Sequence, residues 1–210
     1  MQWIRGRTRR DGIVAPRIQQ KRRLWLTGAL LLGVGLLSRS SSAQSVEVPV
    51  RLQVELLSKV AAYDRNFVAR ANGRALVLVL VKRGDPESER VGEQISTELG
   101  VIAQIGGLPH TDERVPFASA KALAELCKSR RAAVVYLSTG LSDQMESIAS
   151  ALDGVSVLSV SATAANVPKR AVLGFDAQAG KPKLVVHLDQ ARRQKVAFKP
   201  DLLRLARVIQ

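Results

Sequence analysis

Residues 75–81 read Ala-Leu-Val-Leu-Val-Leu-Val, an unbroken apolar run. A strand exposed on one side alternates apolar and polar residues. A run without alternation is buried on both faces, and such strands belong to parallel sheets covered by helices. Residues 132–137, Ala-Ala-Val-Val-Tyr-Leu, repeat the pattern. Between and around these runs lie segments of helical period. Leu52, Leu56, Val60, Tyr63, Phe67 and Val68 recur at spacings of three and four, which predicts one amphipathic helix of about five turns. Asn72-Gly73 stops it. Gly84-Asp85-Pro86 is a turn into a second helix, with Asp85 as cap and Pro86 in the first turn; that helix is expected to end at Leu99-Gly100.

Further along, Val101–Ile105 is expected to form the second strand, followed by a loop over Gly106-Gly107-Leu108-Pro109. Ser119–Cys127 and Ser142–Leu152 read as helices. Val155–Val160 reads as a strand. Ala171–Phe175 and Leu184–Leu188 read as strands paired across Gly180, and Lys199–Val208 as a closing helix with Leu202, Leu203, Leu205 and Ala206 towards the core. Strands alternating with helices define an α/β domain. The expected architecture is a single three-layer domain with a mostly parallel sheet flanked by helices, and an antiparallel hairpin near the C-terminus.

The first 43 residues have a different character. A basic stretch containing Arg5, Arg7, Arg9, Arg10, Arg17, Lys21, Arg22 and Arg23 precedes an apolar run from Leu24 to Leu37, and Ser38–Ala43 is small and polar. This is the order of a signal peptide. Ser41 and Ala43 suit the small-residue requirement of a cut between Ala43 and Gln44. The alternative is an uncleaved anchor, but the 14-residue run falls short of the roughly 20 residues that a spanning helix needs. Arg22-Arg23 leaves the twin-arginine and general secretory routes both open. The expected organisation is a signal peptide over residues 1–43 and one α/β domain over 44–210, exported to the periplasm.

The leader also accounts for most of the charge. The chain has 32 Lys and Arg against 18 Asp and Glu, a net of +14. Residues 1–43 hold nine of the basic and one of the acidic residues, which leaves +6 for the remaining 167. Both tryptophans, Trp3 and Trp25, lie in the leader. A modest charge and few aromatic platforms speak against nucleic acid. Cys127 is the only cysteine, so no intrachain disulfide forms; it reads as a small buried hydrophobe.

No catalytic, cofactor or metal pattern stands out. The two histidines, His110 and His187, do not share a ligand spacing. His187 reads as a half-buried strand residue beside Asp189, and His110 as an exposed loop residue able to touch a ligand. Gly106-Gly107 lacks the later glycine and lysine of a phosphate loop, and no nucleophile elbow is present. Ser88, Ser138 and Thr139 lie where an α/β sheet offers ligand sites, at the carboxyl ends of strands, although ordinary capping explains such residues equally well. Two basic clusters, Lys128-Arg130-Arg131 and Arg192-Arg193-Lys195-Lys199, read as solvated faces, with an acidic partner surface or lipid headgroups as the functional alternative.

The C-terminal half resembles the YfiR-like periplasmic proteins. The resemblance rests on Val157–Ser161, on the hairpin Gly174–Leu188, on Ala191-Arg192, on Leu202–Ala206 (Leu-Leu-Arg-Leu-Ala), and on Ala133–Ser138. It implies an exported, non-enzymatic regulator whose partner is a membrane-anchored signalling protein, such as a diguanylate cyclase held from the periplasm. From the basic cluster, Arg192 and Arg193 are candidate contacts, and a homodimer is left open. The chain departs from the family pattern at His187, where relatives usually have Asn, and in its single cysteine. The alternative is a periplasmic small-ligand-binding or sensor protein.

Overall fold

The computed structural model describes residues 47–210; the expected leader and its cleavage point at Ala43-Gln44 lie outside them. The chain forms α1 (Val50–Val60), α2 (Phe67–Ala71), β1 (Ala75–Lys82), α3 (Pro86–Val101), β2 (His110–Phe117), α4 (Ala120–Arg130), β3 (Val134–Leu137), α5 (Met145–Ala151), β4 (Leu158–Ser161), β5 (Leu173–Gln178), β6 (Lys181–His187), α6 (Leu188–Arg193), α7 (Pro200–Leu205) and β7 (Arg207–Ile209). The strands make one sheet in the order β2-β1-β3-β4-β5-β6-β7. Among the described strands only β5 and β6 pair antiparallel. The architecture is therefore α/β and mostly parallel, with the hairpin near the C-terminus.

The unbroken run of β1 is explained by its two faces. Val77 and Val79 pack with Val54, Leu57, Ile95 and Leu99 of α1 and α3. Leu78 and Leu80 pack with Leu123 of α4 and Met145 and Ile148 of α5. Each layer of helices thus covers alternate residues of the same strand. In α3, Gly92 lies so close to β1 that a Cβ there would strike Val81 Cγ1. The α3 cap is as expected: the Asp85 carboxylate accepts from Ser88 N at 3.1 Å.

The structure differs from the sequence-based expectation at several elements. The long first helix breaks after Val60, because Asp64 leaves helical geometry and turns inward. Its buried stripe is Gln53, Val54, Leu57 and Val60, with Leu52 and Leu56 only partly covered. Val101–Ile105 is not a strand: α3 runs through Gly100 to Val101, and Ile105 fills the core from a turn. The second strand is instead His110–Phe117, whose polar sequence suits a sheet edge that tolerates Pro116 and charge.

A further difference lies in the hairpin near the C-terminus. Its strands are longer than expected, joined by the two-residue turn Ala179-Gly180 with both φ angles positive, the geometry of a type I′ turn. The fourth β-strand begins at Leu158 rather than Val155, and Leu188 opens α6 rather than closing β6. Finally, the closing helix stops at Leu205. Ala206 is extended and β7 joins the sheet beside β6, so Leu205 points to solvent while Leu202 is buried.

Gly92→Ala tests the α3–β1 contact. Helix propensity alone would stabilise the variant by about 1 kcal/mol. The methyl group must displace the stiff, β-branched Val81, and overpacking of that kind costs about 1–3 kcal/mol. The expected outcome in urea unfolding is no gain or a net loss of stability.

Candidate functional site

The strand order reverses between β1 and β3, and the carboxyl ends there form the usual ligand crevice of an α/β sheet. Here that crevice is closed from within. Ser88 Oγ and Ser138 Oγ are 2.6 Å apart; Ser88 Oγ accepts from Lys82 N at 2.8 Å and donates to Thr139 O at 2.8 Å. Both serines are fully buried. Their hydroxyls are occupied by one another and by the backbone, so in this conformation they join the strand ends rather than face a ligand. Thr139 is half-buried and faces a small cleft of about 200 Å³ shared with Gln53, Glu87 and Arg90. Gln53 closes the same end of the sheet: its amide donates to Val48 O and Ala162 O, and it accepts from the buried Tyr136 hydroxyl at 2.8 Å.

The two histidines are far from this point in the fold. His110 opens β2 rather than lying in a loop, and its Nε2 is 3.1 Å from Leu99 O, where it donates. It borders a surface cleft with Arg74 and Asp112. His187 ends β6, is buried, and caps α6: its Nδ1 accepts from Gln190 N at 3.3 Å. Burial lowers its pKa below the ordinary value; Asp189 opposes the shift, and Arg170 and Arg193 add to it. Arg192 and Arg193 are exposed and paired with Asp189 and Asp153 at 3.2 Å each. Burial alone would raise the Asp153 pKa, but hydrogen bonds from Gln190 and Arg193 and the charges of Arg170 and Arg193 hold it below the ordinary carboxylate value.

A wider cavity is at the opposite end of the sheet. A cleft of about 580 Å³ opens at the amino ends of β3 and β4, between the ends of α2 and α4 and the loop after α6. Arg70, Lys128, Arg131 and Lys195 line it together with Cys127 and Ser156, and among the described residues no carboxylate does. Behind the wall lies a buried ion pair. Arg70 donates to Asp64 Oδ2 at 2.7 Å, to Ser156 Oγ at 3.2 Å and to Lys195 O at 3.1 Å. Asp64 Oδ1 accepts from Asn66 N and Ala197 N. The Cys127 thiol, on α4, is buried, and burial pushes its pKa up to about 12, which keeps it a neutral thiol.

The cleft draws on both basic clusters of the sequence: Lys128 and Arg131 from one, Lys195 from the other. Arg130 turns away to Glu113 of β2 at 2.8 Å. Asp64, Arg70 and Gln53 carry no sequence signal as site residues, since an isolated charge or amide in a helical segment reads as solvent-facing. The one hint is Asp64, which interrupts the apolar periodicity where the helix breaks.

Comparison with known proteins places the chain by family. The family model described as YfiR/HmsC-like matches residues 102–207, half of the chain, and the chain belongs to that family. No curated protein matches it. Among solved structures, the ABC domain in complex with L-Trp from Streptococcus pneumonia superposes with a TM-score of 0.53 at 13% identity, and a conserved domain protein from Vibrio cholerae with 0.52 at 12%. Each alignment covers 77% of this chain and 60% of the other, so the chain spans less than two thirds of the length of these structures. At such identities the likeness concerns the fold. Among the described residues no helix is long and apolar enough to cross a membrane.

Two measurements check this account. Arg70→Met leaves the Asp64 carboxylate buried without its cation, and denaturant unfolding is expected to show a loss of about 3–5 kcal/mol. For His187, the folded pKa lies below the unfolded value of about 6.5, so the unfolded chain binds more protons in the window beneath that value. Stability is therefore full above about pH 6.5 and falls as the pH drops through the window towards the lower folded pKa. His187→Asn keeps a capping side chain, and its unfolding midpoint is expected to lose that component of the pH dependence.

Proposed function

We propose that the chain is an exported, non-enzymatic regulatory protein that docks on the periplasmic part of a membrane-bound signalling protein, such as a diguanylate cyclase, and holds it in one state. The observation that carries this reading is the family membership over residues 102–207; the family is one of periplasmic regulators. The polar chemistry of the domain is consistent with it. Ser88, Ser138, Gln53 and Tyr136 are engaged with one another or with backbone, and Cys127 is a buried neutral thiol. The leader read over residues 1–43 supports export through the sequence alone. Contacts to the partner would come from exposed charge, with Arg192 and Arg193 on α6 as candidates.

Deletion of the gene is expected to change cellular cyclic di-GMP, measured by mass spectrometry, and complementation with the exported chain to restore it. A chain lacking residues 1–43 is expected not to restore it. An unchanged cyclic di-GMP level on deletion would overturn the cyclase reading.

A further inference from the structure

The cleft at the amino ends of β3 and β4 holds four cationic side chains, and two of them are answered by acids. Arg70 is paired with Asp64, and Lys128 with Glu125 at 3.2 Å. Asp153, beside the cleft residue Gly154, is turned to Arg170 and Arg193. Arg131 and Lys195 form no ion pair and no side-chain hydrogen bond among the described residues. They approach one cavity from elements more than sixty positions apart in the sequence.

Their backbones carry a second observation. Arg131 and Lys195 both adopt left-handed φ angles, +52° and +56°. Each follows a helix, α4 or α6, at the position where glycine is the usual stop because it has no Cβ to clash. A non-glycine residue there is strained by roughly 1 kcal/mol or more. Arg170, also left-handed, has an internal reason: its guanidinium bonds Gln190, Ser150 and Asp153. Cations near helix carboxyl ends gain something from the helix dipole. That gain is available at any residue of the last turn, and Lys128 and Arg130 already take it on α4. The dipole does not account for charge at the strained stop itself.

The remaining lining is small or apolar, with Ala69, Gly154 and Val155 among it, and the volume of about 580 Å³ falls in the range of small-molecule sites. We propose that this cleft binds a small free organic anion, its phosphate or carboxylate held by Arg131 and Lys195 and its apolar body against Ala69 and Val155. Arg70, locked to Asp64, Ser156 and the Lys195 carbonyl, is a positioning residue that fixes the wall. The site is at the end of the sheet opposite to the usual crevice, which Ser88 and Ser138 close. The inference does not rest on a membrane partner.

Phenyl phosphate is the probe, with phenol as the uncharged control, at matched ionic strength. Calorimetry on the purified chain is expected to show saturable one-site binding of phenyl phosphate, weaker binding of inorganic phosphate and none of phenol. Arg131→Gly with Lys195→Gly removes both charges and relieves both strained positions. The double variant is expected to bind phenyl phosphate at least about tenfold more weakly while its Tm without ligand is unchanged or higher. Arg131→Gln with Lys195→Gln is expected to lose binding equally, so the conclusion survives any folding defect of the glycine pair. Absence of saturable phenyl phosphate binding, or equal binding by the variants, would overturn the proposal. So would binding only to phosphatidylcholine vesicles containing phosphatidylglycerol, which would assign the charge to a lipid surface.

Discussion

Two charges are buried between the first helical segment and the last third of the domain, and they constrain everything near them. A carboxylate removed from water must recover its lost hydration from hydrogen bonds, and a guanidinium must do the same. Asp64 meets this with Arg70, with its own turn and with Ala197 N; Arg70 adds Ser156 and the Lys195 carbonyl. The partners come from three separated stretches of chain. Satisfying them breaks the first helix at Ala61–Arg65, seats α2 against the start of β4, and ties the loop after α6 to the beginning of the domain. The backbone follows the same path, through Arg65 N to Ala197 O and Lys199 N to Tyr63 O. A local sacrifice of helix is offset by closure of the domain.

That closure decides where open space remains. At the carboxyl ends of β1 and β3 the hydroxyls of Ser88 and Ser138 meet over the backbone of Lys82 and Thr139, and Gln53 with Tyr136 seals the neighbouring strands. At the amino ends, the Asp64–Arg70 pair stands as a wall rather than a plug, and the ends of α4 and α6 stand apart from it. The cleft between them is basic because Lys128 and Arg131 at the end of α4 and Lys195 just after α6 line it together with Arg70. One fold therefore has a polar seal at one end and an open charged cavity at the other, the reverse of the arrangement its strand order alone would suggest.

The periodic elements were legible in the sequence wherever burial sets the pattern. β1 and β3 are covered on both faces, so their runs of Ala, Val and Leu could be read directly, and the Asp85-Pro86 start of α3 followed from local capping. β2 escaped because it is an edge: its residues His110–Phe117 satisfy solvent on one side and show no apolar run. Val101–Ile105 looked like a strand because an apolar helix end and a single core residue, Ile105, stand close together. β7 escaped for a related reason. Three residues pair beside β6 through backbone contacts that the helical pattern of Leu202–Ala206 conceals.

The sequence by itself determined the class of fold, the family resemblance and the burial of Cys127, because each depends on local pattern or on hydrophobicity alone. It also set the strongly basic composition of residues 1–43 apart from the lower net charge of the rest. The tertiary structure decided which polar residues matter. Ser88 and Ser138 are fifty positions apart and meet only when β1 and β3 pair; Asp64 needs Arg70, six residues away, and Ala197, far along the chain. Lys128, Arg131 and Lys195 belong to two stretches of charge that read as solvated faces until the ends of α4 and α6 are placed beside one cleft. The physical reason is common to all of them: a polar side chain takes its role from what surrounds it, and those surroundings come from distant parts of the chain.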